Sequence, residues 1–151
     1  MKLSTKGRYS VRLMIDLAIH GGQGAVLLKD VSRRQDISEK YFGHFVPLLK
    51  SAGLINTTRG SRGGFSLARP ASEITLKDII VAAEGAIDLV GCVDNASQCR
   101  RSSGCAARDI WLEATRKIEK IFEGYTLAEA VERQKAKTEK KNHVIYPAFG
   151  V

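Results

Sequence analysis

The segment spanning residues 28–69 constrains the fold more than any other part of the chain. It opens with a stretch of helical character through Arg33 and Arg34, followed by a tight connection, Asp36-Ile37-Ser38. Ser38 suits an N-cap, because its hydroxyl can accept from an orphan N–H of the next helix's first turn. Beyond it, Phe42, Phe45, Val46 and Leu49 are spaced as one apolar stripe of a helix. Pro47 disturbs that helix. It has no N–H to donate and its ring collides with the carbonyl of Gly43, so a kink there or a break near residue 46 is expected. Gly53 supplies a helix stop. Two short strands, beginning near Leu54 and Phe65, then flank a glycine-rich tip. Helix, turn, helix and hairpin together make a winged helix-turn-helix. The expected fold class is mainly α with a small β-hairpin wing, extended by a long C-terminal dimerisation helix.

The stripe leaves Lys40, Tyr41 and His44 on other faces of the second helix, where they would meet a DNA major groove. Arg59 and Arg62 sit on the wing, aimed at a neighbouring minor groove. A small α/β module with a solvated basic face is the plain alternative, and the charge distribution argues against it. The chain has a formal charge of +8, and residues 1–70 hold 12 Lys/Arg against 4 Asp/Glu, while residues 71–151 are balanced. The excess positive charge therefore travels with the helix-turn-helix, and a polyanion is its natural partner. A membrane surface would also attract it, but no apolar run of about 18 residues, signal peptide or lipidation motif is present. A cytoplasmic, nucleoid-associated location with reduced thiols is expected.

Before this segment, residues 5–20 read as a helix with Val11, Met14, Ile15 and Ala18 as its buried stripe, stopped by Gly21-Gly22. Lys6, Arg8 and Arg12 near its start read equally as phosphate contacts or as a solvated face. After the wing, Thr75 to Asp78 is a capped helix start running to Gly85, with Ile79, Ile80 and Ala83 packing on the winged domain. Residues 86–105 lose helical periodicity and read as a loop. A helix follows from Ala106 to Glu123, with Trp111, Ala114, Ile118 and Ile121 as a coiled-coil-like seam. Packing on the chain's own first helix would cover that seam, as would an isologous homodimer, which two-fold DNA sites favour. Thr126 to Glu129 is a capping box opening a short helix to about Ala136. The charged stretch beyond reads as a mobile tail. The expected division is thus 1–85 for the DNA-binding domain, 86–105 for the cysteine loop, 106–137 for the dimerisation helices and 138–151 for the tail. His20 reads as a helix C-terminal dipole partner, and His143 falls in the tail.

The chain's three cysteines, Cys92, Cys99 and Cys105, all lie in the one loop. A disulfide would leave an odd thiol in a reducing compartment. No Cys-x-x-Cys redox pair is present. Structural zinc wants four ligands with paired close spacings, which leaves a zinc-stabilised protein-interaction module as a rival reading. An iron–sulfur cluster suits a loop of spaced thiolates, with a fourth ligand from elsewhere; such a cluster would be labile, and beside a DNA reader it would make a sensor. No acid/base pair or nucleophile–histidine spacing stands out, so an enzyme is the weakest expectation.

The opening MKLSTKGRYSVRLMIDLA, the segment ISEKYFGHFVPLLKSAGLI, the wing RGSRGGFSLA and the loop cysteines resemble the family of bacterial winged-helix regulators that includes IscR, NsrR, RirA and CymR, IscR-like members most of all. The resemblance covers roughly residues 1–136. It implies a homodimer with the long helix as its axis, bound to double-stranded operator DNA through two-fold related half-sites. It implies a 2Fe–2S or 4Fe–4S cluster held by Cys92, Cys99 and Cys105. It also implies control, as a repressor, of genes for cluster assembly, iron or sulfur metabolism, with nitric-oxide or redox/thiol sensing as the alternative. On the same resemblance the DNA contacts fall on Ser38, Lys40, Tyr41, Arg59 and the nearby wing residues, Ser61 and Arg62 among them; His44, off the apolar stripe, reads equally as a DNA contact or as a solvated side chain. Two departures stand out. Arg108 occupies the place of a histidine ligand in some members, and Arg8 that of an acidic ligand in others, so neither fourth ligand transfers. Gly43 stands where some members carry an acidic residue that discriminates between DNA sites.

Overall fold

The structure is a computed structural model that describes residues 3–60 and 63–145. The first helix, α1 (Thr5–His20), is capped by Ser4, whose side chain accepts the Gly7 N–H at 3.2 Å. Its most deeply buried apolar residues are Leu13, Met14 and Leu17. The sequence stripe of Val11, Met14, Ile15 and Ala18 is thus only partly correct: Val11, Ile15 and Ala18 are half-buried at the margin of the core. The reason is that helices pack on α1 from more than one side, so its covered face is wider than one stripe. Gly7 lets the Glu84 side chain of the helix α5 (Leu76–Glu84) lie against α1: a Cβ on Gly7 would stand 2.0 Å from Glu84 Oε1 and displace that carboxylate. That same carboxylate accepts the Ser4 N–H at 2.9 Å.

Helix α2 (Leu28–Gln35) ends at Asp36, which adopts the left-handed conformation at φ 52°. Asp tolerates that conformation better than most residues. The expected recognition helix is two pieces, α3 (Glu39–Phe42) and α4 (Val46–Ser51), with turn conformation at residues 43–45. Pro47 thereby falls in the first turn of α4, where its missing N–H would have had no intrahelical partner. Despite the break, Phe42, Phe45 and Leu49 are completely buried and Val46 nearly so. Gly53 turns the chain at φ 68° into the wing.

The wing is an antiparallel pair, β1 (Ile55–Thr58) and β2 (Gly64–Leu67), with Ile55 opposite Leu67 and Thr58 opposite Gly64. Val26 adds a bridge to Phe65 through two 2.8 Å backbone hydrogen bonds. The backbone approach there is close enough to exclude a side chain at position 64, because a Cβ would lie 2.4 Å from the Val26 carbonyl oxygen.

Helix α5 begins with the expected capping box: Thr75 and Asp78 each accept the other's backbone N–H, at 3.1 and 2.9 Å. Residues 86–105 are not a featureless loop. They contain a one-turn helix, α6 (Gly91–Asp94), and two short 3-10 turns. Then come α7 (Ala106–Glu123) and α8 (Leu127–Ile145). The start of α8 is joined to that of α5 by Leu76 N–H donating to the Tyr125 carbonyl at 2.9 Å and Leu127 N–H to that of Ile74 at 2.7 Å. Leu127 and Ile74 are both fully buried, so the C-terminal part of the chain contributes to the same core as α1, α3, α4 and α5.

The helix expected to end near Ala136 continues to Ile145, so the charged stretch assigned to a mobile tail is helical. Lys, Glu, Ala and Gln are strong helix formers, and Lys135 pairs with Glu132 at 2.9 Å one turn away. Local propensity sustains the helix where core packing does not. The apolar end from Tyr146 onward lies outside the described residues. Among the described residues no helix is long and apolar enough to cross a membrane.

Candidate nucleic-acid interface and cysteine segment

Two surfaces carry the residues singled out from sequence. The first is built by α2, α3 and the wing. Ser38 caps α3 and its hydroxyl accepts the Tyr41 N–H at 3.3 Å. Lys40 and His44 are exposed, as expected of residues off the apolar stripe. Tyr41 is half-buried: its ring meets Tyr9 of α1 edge-on at 5.4 Å, Phe45 at 6.1 Å and His44 at 5.5 Å. Only part of Tyr41 therefore faces outward, and the rest ties the short α3 to α1. Arg12 stacks over the other partner in this array, Tyr9, at 5.2 Å. Arg59 is exposed at the end of the first wing strand. Ser61 and Arg62 lie outside the described residues.

Sequence reasoning missed the ion pair beneath this surface. Asp16, buried on α1, accepts from Arg34 of α2 through both guanidinium contacts, at 3.0 and 2.6 Å, and from Gln35 at 2.9 Å. The hydrogen bond to Asp16 holds the Arg34 guanidinium above its usual pKa. A signal was present: Asp16 is the single carboxylate among the first 29 residues, placed inside an otherwise apolar run.

The second surface is the cysteine segment. Cys92 lies on α6, Cys99 follows a 3-10 turn, and Cys105 caps α7. All three are free thiols of intermediate exposure. Among the described residues no three His, Cys, Asp or Glu side chains converge closely enough to hold a metal ion. The donor set nonetheless fits an iron–sulfur cluster in kind, with three unpaired thiols on one short segment able to act as thiolates. The segment would have to close for all three to ligate together. Arg108, in the first turn of α7, donates from Nε to the Cys92 carbonyl at 2.7 Å and ties the two ends of the segment. The sequence showed Arg108 only as a departure from a ligand pattern; its backbone partner, 16 residues away, was not legible. Asp88, just ahead of α6, has its carboxyl pushed above the ordinary value, first by burial and then by the carboxylates of Asp94 and Glu119.

The long helix α7 carries the seam expected from sequence, and the chain covers it only in part: Trp111 and Ile121 are exposed, Ala114 and Ile118 half-buried. Thr115 is its one buried residue, and its main contacts among the described residues are to α5 and α6.

A helix-turn-helix with a β-wing and an excess of positive charge defines a DNA-binding transcription regulator. The family model described as Rrf2, iron-dependent transcriptional regulator, matches residues 3–133, and the chain belongs to that family. It is 37% identical to Protein rrf2 of Nitratidesulfovibrio vulgaris over 129 residues, covering 85% of this chain and 86% of that protein. It is 35% identical to the transcriptional regulator IscR of Serratia proteamaculans, over 89% of this chain and 81% of that one. Among solved structures it resembles CymR, the global cysteine regulator of B. subtilis, with a TM-score of 0.74 at 32% identity over 88% of this chain and 98% of that chain. It also resembles T. potens IscR, with a TM-score of 0.72 at 34% identity over 89% and 88%. The relatives are transcriptional regulators and not enzymes, and the winged-helix fold class read from sequence is the one observed.

Proposed function

We propose that this regulator is an iron–sulfur-dependent repressor of genes for cluster assembly, iron or sulfur metabolism, and that Cys92, Cys99 and Cys105 hold the cluster. The observation that carries this reading is the placement of three free thiols on the segment joining α5 to α7. A bound cluster would supply a redox-labile tie between the three thiolates. The chain's own residues determine what that tie can move. Ile79, Ile80 and Ala83 fix α5 to the DNA-binding body, and Cys105 opens α7. Ligation by Cys92, Cys99 and Cys105 together would shorten the connection and change how α7 leaves that body. With two chains paired along Ile110, Trp111 and Ile121, the same change resets the spacing and tilt of two DNA readers.

In each reader, Ser38, Lys40, Tyr41 and His44 would meet the major groove, with Arg59, Ser61 and Arg62 of the wing beside it. The division into residues 1–85, 86–105, 106–137 and 138–151 is proposed as one of roles and not of separately folded units, since α8 runs across the last boundary and shares its core with the reader. A location in the cytoplasm, on the nucleoid, follows from the DNA target.

The half-exposed thiols favour a second reading, a thiol or nitric-oxide sensor on the same residues. The test is purification without oxygen, followed by a visible spectrum and assays of iron, acid-labile sulfide and zinc per chain. Matched iron and sulfide are expected, and their amount per chain chooses between 2Fe–2S and 4Fe–4S. Zinc alone, in colourless protein, would sink the cluster reading. Equal operator affinity and site preference with and without the cluster would sink the proposed coupling.

A further inference from the structure

The ion pair under the reader is placed where it can act on recognition. The Asp16 side chain is 1% exposed and that of Arg34 is 29% exposed. Arg34 and Gln35 are the last two residues of α2, and only Asp36 and Ile37 separate them from the cap of α3. The same turn is closed by Ser32, whose hydroxyl donates to the Ile37 carbonyl at 2.6 Å while its own carbonyl accepts the Ile37 N–H at 3.2 Å. Arg12, one turn before Asp16 on α1, donates to the Gln35 side-chain oxygen at 3.1 Å and also to the Gln35 carbonyl.

A buried ion pair is weak evidence of stability, since well-packed apolar residues often serve as well. A two-pronged guanidinium–carboxylate contact fixes an orientation as well as a distance, which an apolar pair does not. We propose that Asp16, through Arg34 and Gln35, is the positioning residue of the DNA reader. It sets the register of the α2–α3 turn against α1, and so where Ser38, Lys40 and Tyr41 stand relative to the wing.

This inference rests on the DNA-binding assignment and adds a cause for specificity. Non-specific binding follows the number of phosphates neutralised, whereas base readout needs side chains at fixed places. The two depend differently on the clamp. Arg34→Lys keeps the charge and loses the fork. Asp16→Asn removes a negative charge, so charge alone would tighten binding to any DNA.

The experiment first enriches a preferred duplex from a random-sequence pool with the wild-type protein. Wild type, Arg34→Lys and Asp16→Asn are then titrated with that duplex and with a scrambled one, at two salt concentrations and below each protein's melting transition. Expected for Arg34→Lys is a loss of roughly tenfold on the preferred duplex, with scrambled binding changed by less than about twofold and an unaltered salt slope. Asp16→Asn should weaken the preferred duplex while leaving the scrambled one equal or tighter. Equal changes on both duplexes, or none on either, would overturn the positioning role. If Asp16→Asn does not fold, Arg34→Lys decides alone. A wild-type protein that enriches no sequence would overturn the assignment of the reader itself, and the clamp's role with it.

Discussion

Phe42, Phe45 and Leu49 of α3 and α4 expose nothing to solvent, whereas Ile110, Trp111 and Ile121 of α7 expose 60, 43 and 57% of their surface. Both sets sit on helical stripes of similar apolar character, and the broken helix is the better buried. An amphipathic stripe states that a helix needs a partner surface without stating where that surface is. For α3 and α4 it lies within the chain, in α2, α5 and the start of the wing. For α7 the main packing partners among the described residues are α5 and α6. The reader's core is thus closed within the chain, with Leu127 of α8 part of it, whereas α7 keeps Ile110, Trp111 and Ile121 exposed.

The largest expected effect lies on the buried side of this contrast. Phe42→Ala removes a completely buried ring that meets Phe45 at 5.3 Å. It should cost about 3–5 kcal/mol of stability, read by denaturant unfolding. If α7 were as self-contained as the reader, Trp111→Ala would cost as much. Instead it should leave the melting of the monomer nearly unchanged and, where two chains pair along α7 as proposed, raise the dissociation constant of that pair, measured by sedimentation. An Arg59→Ala protein should fold normally and lose about 1–3 kcal/mol of affinity for its preferred DNA if Arg59 reads a groove. A loss equal on all sequences, with a shallower salt slope, would reassign Arg59 to phosphate.

A smaller effect is expected at the cap of α5. Thr75→Ala should cost about 1 kcal/mol, read in the same unfolding assay, because the Asp78 N–H loses its partner. The smallest is at the cap of α8, where Glu129 accepts from the Thr126 N–H at 2.8 Å and from its hydroxyl at 2.9 Å. Those bonds hold the Glu129 carboxyl below its ordinary value. A carboxylate whose pKa is lower in the folded state stabilises above the unfolded value and loses that stabilisation as pH falls through the folded one. Glu129→Gln should therefore flatten slightly the loss of stability between about pH 4.5 and the folded value, as followed by thermal melting across that range.

Much of this was written in local chemistry. Ser38, Thr75 and Thr126 announce their caps because a cap is decided within four residues. Pro47 announced a break, and tertiary packing only chose its position at residues 43–45, where Phe45 could still be buried. The face of α1 was less legible, because small and polar residues such as Gly7 and Ser10 are buried there by the close approach of other helices. The length of α8 is not legible in the sequence, because a lysine-rich stretch has the composition of both a solvated tail and a good helix.

By itself the sequence determined the helices and wing of the reader, its charge bias and the grouping of the cysteines, all of which are properties of residue order over a few turns. The tertiary structure decided which stripe found a partner, that Asp16 of α1 would grip the end of α2, and that Arg108 would hold the Cys92 backbone. Those contacts join residues 16 to 19 positions apart in the chain. Packing, and not spacing, brings such side chains within hydrogen-bond reach.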